Sequence, residues 1–151
     1  MRQDERIGIV GGVGPHAGLD LTRKLFDHTR AEADQEHLPV MLYSFPDRIG
    51  ERPAFLLGKT ADNPGEAIGD IMAELARAGA TVIGMPCNTA HYFLDRLQPE
   101  TKIPFISILE STAKACAAAH PGKTACILAT TGTLCTGIYE KALSQEGVAY
   151  L

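Results

Sequence analysis

Short apolar runs alternate with amphipathic stretches along this sequence, and that order predicts an α/β fold in three layers: a parallel sheet of alternating strands and helices. Three observations carry the prediction. The strand-like and helix-like segments follow one another strictly, which calls for parallel pairing through right-handed crossovers. Clusters rich in Gly or polar residues fall where strands end, at 11–15, 44–48, 86–91 and 130–135. In an open α/β sheet that is the edge where loops and helix N-termini converge on ligands. Finally, the Gly and Pro residues sit between apolar runs and mark turns, as a disordered composition would not.

Ile7–Val10 is the first strand and ends in Gly11-Gly12-Val13-Gly14-Pro15. A helix follows over 16–33, with Leu19, Leu21, Leu25, Phe26 and Thr29 on its apolar side. Leu38–Phe45 reads as a second, buried strand, and 46–64 as an irregular stretch with one helical turn at 54–57. Pro64 opens the next helix at a position where its missing N–H costs nothing. Ala67, Ile68, Ile71, Met72, Leu75 and Ala76 form its apolar face, and Gly79 stops it. Thr81–Met85 is the third strand, followed by Pro86-Cys87-Asn88-Thr89-Ala90-His91 and a helix to about Leu97. Pro104–Ser107, the helix 109–119, the strand 125–129 and a helix from Thr130-Thr131-Gly132-Thr133 to Gly147 continue the alternation. Val148–Leu151 begins a sixth strand. The expected division is a first α/β unit over 1–103, carrying Cys87, and the opening of a second over 104–151. Stopping inside a strand would leave unpaired backbone and apolar surface, so a partner chain or further sequence is expected there.

The chain has 151 residues, 45% of them hydrophobic, 21% charged and 6% aromatic. A domain of that size buries roughly 68–70% of its unfolded surface, enough for a core without staples. Fourteen Lys and Arg against eighteen Asp and Glu leave a charge of -4. With no basic run, this argues against nucleic-acid or anionic-membrane partners. Met1–Arg6 is mostly polar, nothing there reads as a signal peptide, and no apolar run approaches the ~18 residues of a membrane span. Cys87, Cys116, Cys126 and Cys135 show no CxxC spacing. A reduced, soluble, cytoplasmic protein is the expectation.

Cys87 is the candidate reactive residue. It is placed after an apolar strand at the expected first turn of a helix, where the macrodipole and free N–H groups favour a thiolate over the reference thiol pKa of about 8.5. A free Cys is commonly just a small buried hydrophobe, but a packing Cys has no need of the donors Asn88 and Thr89 beside it. Cys116, in an Ala-rich helix, and Cys126, in an apolar strand, read as packing residues. His91, four residues on, can share a helical face with Cys87 and tune it. The pair as half a zinc site lacks a second Cys/His pair at matching spacing. Arg48, after the second strand, suits a carboxylate taken through two parallel hydrogen bonds, or equally a salt bridge within its loop. Thr130 and Thr133 could hold an anion, cap a helix, or do both. Gly12-x-Gly14-x-x-Ala17 matches a dinucleotide fingerprint. Pro15 removes a needed N–H, however, and the acids Glu32, Asp34 and Glu36 precede the second strand where one should end it. A tight turn admitting a small ligand or another loop is the favoured reading.

Ile9-Val10-Gly11-Gly12-Val13-Gly14-Pro15, Pro46-Asp47-Arg48, Met85-Pro86-Cys87-Asn88-Thr89-Ala90-His91 and Ala129-Thr130-Thr131-Gly132-Thr133 resemble, in order and spacing, the aspartate/glutamate racemase superfamily. The likeness is to its aspartate racemase and broad-specificity amino-acid racemase branch. It covers essentially the whole chain, and Pro86–His91 is its most specific element. The resemblance implies racemisation of an acidic amino acid, aspartate before glutamate, with no pyridoxal phosphate and no metal. Two similar α/β halves would carry two cysteines on opposite sides of the substrate Cα, and homodimers would be usual. Cys87 matches the first cysteine, Arg48 a carboxylate-holding residue, and Asn88, Thr89, Thr130 and Thr133 positions around the amino-acid backbone group. Val13, in the pocket wall, stands where Met is common. The second cysteine belongs to a Gly-Cys-Thr motif, and no such motif occurs in this sequence. Cys135 does not take its place. A non-catalytic carboxylate-binding chain and a nucleotide-binding oxidoreductase fragment are the alternatives.

Overall fold

In a computed structural model that describes residues 5–97 and 102–151, the alternation appears as two parallel sheets. The first four residues of the polar opening stretch lie outside the described residues. The chain runs β1 (Ile7–Val10), α1 (Pro15–Asp27), β2 (Val40–Tyr43), α2 (Arg52–Leu56), α3 (Pro64–Arg77), β3 (Val82–Gly84), α4 (Leu94–Leu97) and β4 (Phe105–Ile106). It continues through α5 (Ile108–Ala119), β5 (Thr124–Ala125), α6 (Thr131–Leu134), α7 (Ile138–Gln145) and β6 (Ala149–Tyr150).

The first sheet has the order β2-β1-β3-β4, all parallel. Strand alternation sends Gly8 and Val10 to one face, where a Cβ on Gly8 would meet Ala80 and Leu75 at 3.0 and 3.3 Å. There α3 buries Ile68, Ile71, Met72 and Leu75, together with Ile83, Met85, Ala90 and Phe93, in one core. Residues of the opposite parity meet α1: Leu42 pairs in register with Ile9 and would lie 3.0 Å from a Cβ on Gly18. The sheet is thus sandwiched between α3 and α1, the three-layer arrangement expected of alternating strands and helices.

Several boundaries differ from expectation. Helix α1 stops at Asp27, six residues early; the Thr29 hydroxyl bonds the Leu25 carbonyl at 2.6 Å and offers the backbone a local alternative. Its apolar side is thinly covered, with Leu19 59% exposed. Strand β2 is half-buried, not buried, because it pairs only with β1 and forms the sheet edge. The helix expected to reach Gly147 is broken into α6 and α7 by Gly137, whose φ of 62° is left-handed. Strand β4, expected to open the second unit, pairs Ile83 with Phe105 and Gly84 with Ile106 and so completes the first sheet. The division expected at 103/104 therefore does not coincide with the sheets.

A second, smaller core gathers Leu109, Ala113, Ala142 and Leu143 from α5 and α7, with Tyr139 packed against them. Strands β5 and β6 pair beside it, and the ladder continues through Ile127 N–H to Leu151 C=O at 3.0 Å. Leu128 and Leu151 are 91% and 83% exposed. No helix among the described residues is long and apolar enough to cross a membrane.

Candidate active site

Sheet order decides where a site can form. From β1 the chain crosses to β2 on one side and returns to β3 on the other. Outside the carboxyl ends of β1 and β3 the crossovers diverge, which in open α/β sheets is where a ligand crevice forms. Gly11–Pro15 and Met85–His91 flank it.

The glycine loop is closed by protein. A Cβ on Gly12, whose φ is 80°, would sit 2.9 Å from the Phe45 carbonyl carbon and the Pro46 nitrogen. The 45–46 backbone packs directly on Gly12, the close approach of another loop that the tight-turn reading allows. Val13, expected in the pocket wall, is 4% exposed and belongs to the main core.

After β3, the Cys87 N–H donates to the Met85 carbonyl at 3.0 Å in a tight turn. Cys87 itself is half-buried against the main core. The segment that follows is a 3-10 turn over Thr89–Phe93, where an α-helix was expected. At three residues per turn it aims both Ala90 and Phe93 into the core. Cys87 therefore precedes a 3-10 turn with Asn88 as its cap residue, and the macrodipole of a long α-helix is not there to act on it.

His91 is 5% exposed and uses both ring nitrogens on backbone. The Ile108 N–H donates to Nε2 at 3.2 Å, which makes Nε2 the acceptor and places the proton on Nδ1. Nδ1 then donates to the Cys87 carbonyl at 2.7 Å. Burial holds the imidazole below its usual pKa; the Cys87 carbonyl, which favours the protonated ring, and the more distant Glu110 carboxylate oppose this. With neither nitrogen directed at Sγ by these bonds, any tuning of the thiol by His91 acts through backbone position.

Three hydroxyls meet across the seam between the two cores. Thr89 Oγ1 lies 2.7 Å from Thr133 Oγ1, and Thr130 Oγ1 lies 3.3 Å from the same atom. Thr130 is the N-cap residue of α6, without a side-chain capping bond. Asn88 accepts a hydrogen bond on Oδ1 from the Tyr139 phenol at 3.0 Å. These bonds join Asn88, Thr89, Thr130 and Thr133 along one seam, with Cys87 the neighbour of Asn88 in sequence.

Arg48 is directed elsewhere. Its Nη2 and Nη1 reach the Glu74 carboxylate at 3.0 and 3.3 Å, and Phe45 lies beneath the guanidinium at 5.2 Å. Hydrogen bonding to Glu74 raises the Arg48 pKa and lowers that of Glu74. The salt bridge weighed for this residue exists, but its partner is on α3 and not in its own loop. Two of the five N–H groups of its guanidinium are engaged there.

Glu74 and Tyr139 are the residues the sequence did not single out. Glu66, Asp70 and Glu74 repeat every four residues on the polar face of α3, a signal that could have marked a cation partner. Tyr139 carries no local signal; its partner is 51 residues away. Among the described residues, no group of three or more His, Cys, Asp or Glu is placed to hold a metal ion.

The Asp/Glu/hydantoin racemase family model matches residues 10–150. This chain belongs to that family. A broad specificity amino-acid racemase of Bacillus subtilis (strain 168), RacX, is 32% identical in an alignment of 146 residues that covers 93% of this chain and 61% of RacX. The aspartate racemase of Picrophilus torridus superposes with a TM-score of 0.84 at 30% identity, over 97% of this chain and 62% of that one. An aspartate racemase homologue from Pyrococcus horikoshii OT3 shares the fold, with a TM-score of 0.75 at 24% identity over 97% and 63% of the two chains. The chain thus spans less than two thirds of the length of these three proteins.

Proposed function

We propose that this chain carries the Cys87 half of a cofactor-independent racemase acting on an acidic amino acid, aspartate first and glutamate next. What supports the reading is the seam: Asn88 and Thr89, next to Cys87 after β3, are tied by hydrogen bonds to Tyr139 and Thr133. In the proposed reaction the Cys87 thiolate takes the Cα proton, so a C–H bond breaks and an S–H bond forms. The electron pair left on carbon spreads into the substrate carboxylate, which needs hydrogen-bond donors as its charge grows. Asn88 and the threonine hydroxyls supply neutral donors. Arg48 would reach the side-chain carboxylate only by exchanging Glu74 for it. Return of a proton from the opposite face requires a second acid, which the family resemblance assigns to a Gly-Cys-Thr cysteine. With Cys87 acting alone, the proton exchanges with solvent on one face and the centre does not invert.

Proton NMR in D2O tests this. Aspartate of one enantiomer should lose its Cα–H signal with this chain and keep it with Cys87→Ser. Exchange with inversion would point to a second acid acting with Cys87. Equal exchange by both proteins, or none by either, refutes the proton-abstraction role. A second reading is a non-catalytic amino-acid-binding chain. It requires that aspartate slow the alkylation of Cys87 with no Cα–H exchange at all.

A further inference from the structure

The Asn88 carboxamide has two distinct ends, and the fold treats them differently. Its Oδ1 receives the Tyr139 phenol from α7 at 3.0 Å, across the boundary between the two cores. The Tyr139 ring is itself anchored, packed against the cluster of Leu109, Ala113, Ala142 and Leu143. Asn88 and Tyr139 together line a cavity of about 210 Å³ with Thr112 and Leu143. Carboxamide torsions are two-fold, so an unrestrained Asn can present either end to a ligand. A carboxylate ligand accepts hydrogen bonds only, and must meet the N–H end. That orientation turns Oδ1 inward, where a half-buried carbonyl needs a donor.

We propose that Tyr139 is a positioning residue, whose phenol supplies that donor and so holds Asn88 Nδ2 toward the Cys87 crevice as a donor to the ligand's carboxylate. The assignment rests on the amino-acid-binding reading above. Its consequence is a linkage: losing the phenol affects the liganded protein more than the free one, because without a carboxylate the amide can turn over or take water.

The experiment compares the native chain with Tyr139→Phe, Asn88→Ala and the double variant. L-Aspartate is titrated as protection of Cys87 against iodoacetamide, with thermal melting of each variant alongside. Tyr139→Phe should weaken protection about five- to tenfold, the size of one lost hydrogen bond of this kind, while melting stays near native because the ring is kept. In the Asn88→Ala background the same change should have no further effect. In ¹⁵N-labelled protein, the side-chain NH2 pair that disappears in Asn88→Ala should shift in Tyr139→Phe, and this readout needs no ligand. Unchanged protection and an unchanged NH2 pair in Tyr139→Phe overturn the assignment, as does a full additive loss in the double variant. If native Cys87 gains no protection from aspartate, the amino-acid-binding reading falls and this assignment falls with it. A protected native chain with an unaffected Tyr139→Phe removes only the role of Tyr139.

Discussion

Thr133→Val perturbs the seam at one atom. Thr89 and Thr133 are 8% and 3% exposed, and their hydroxyls are 2.7 Å apart. Valine keeps the shape of threonine and removes the hydroxyl, leaving Thr89 in a dry position without that partner. The penalty for a buried polar group left unpaired is about 1–3 kcal/mol. Thr89→Val is milder, since Thr133 still has Thr130 Oγ1 at 3.3 Å; about 0.5–1.5 kcal/mol is expected. In the double variant both groups are apolar and the unpaired hydroxyl is gone, so the losses should fall short of additivity by roughly 1 kcal/mol. At about 2–4 °C per kcal/mol for a domain of this size, Thr133→Val should lower Tm by several degrees. Thermal and urea unfolding followed by circular dichroism measure all three variants. Strict additivity, or a larger loss from Thr89→Val than from Thr133→Val, would refute the claim that this hydroxyl pair joins the two cores.

Three further outcomes follow from the geometry. His91 has a folded pKa below its ordinary 6.5, so the unfolded chain binds the extra proton first. Its contribution to stability is complete above about pH 6.5 and declines as pH falls below it; the slope of Tm against pH in that range should flatten in His91→Gln, and an unchanged slope removes His91 as its source. Gly12→Ala forces a left-handed φ and a Cβ 2.9 Å from backbone, whereas Gly69→Ala meets only the movable end of Leu97 at 2.9 Å. Gly12→Ala should therefore be the more destabilising in thermal melts, and the reverse order would contradict the loop packing. Glu74→Gln should leave Tm nearly unchanged, since exposed ion pairs contribute little. Released from Glu74, Arg48 should instead strengthen aspartate protection of Cys87, and unchanged protection would place Arg48 outside the ligand site.

Labelling order separates chemistry from simple access. Cys126 and Cys135 are exposed, while Cys87 and Cys116 are half-buried. Exposure alone would have the first two react first, so alkylation of Cys87 ahead of all three is the signature expected of an activated thiol.

By itself the sequence determined the class of fold and the end of the sheet where its polar and Gly-rich clusters fall. Both are written in local spacing: apolar periods, turn residues, and the polar Pro86–His91 run directly after an apolar strand. The family membership likewise rests on motifs contiguous in the chain. Tertiary structure alone decided the partners. Arg48 turns to Glu74, 26 residues on; Thr89 meets Thr133 across 44 residues, and Asn88 meets Tyr139 across 51. Helix lengths were also settled there. The 3-10 turn after Cys87 exists because Ala90 and Phe93 must reach the same core, and β4 belongs to the first sheet because β3 offers it a free edge. A side chain's hydrogen-bond partner is whichever polar group packing brings within about 3 Å. Spacing along the chain carries no record of that distance once the chain has turned back on itself.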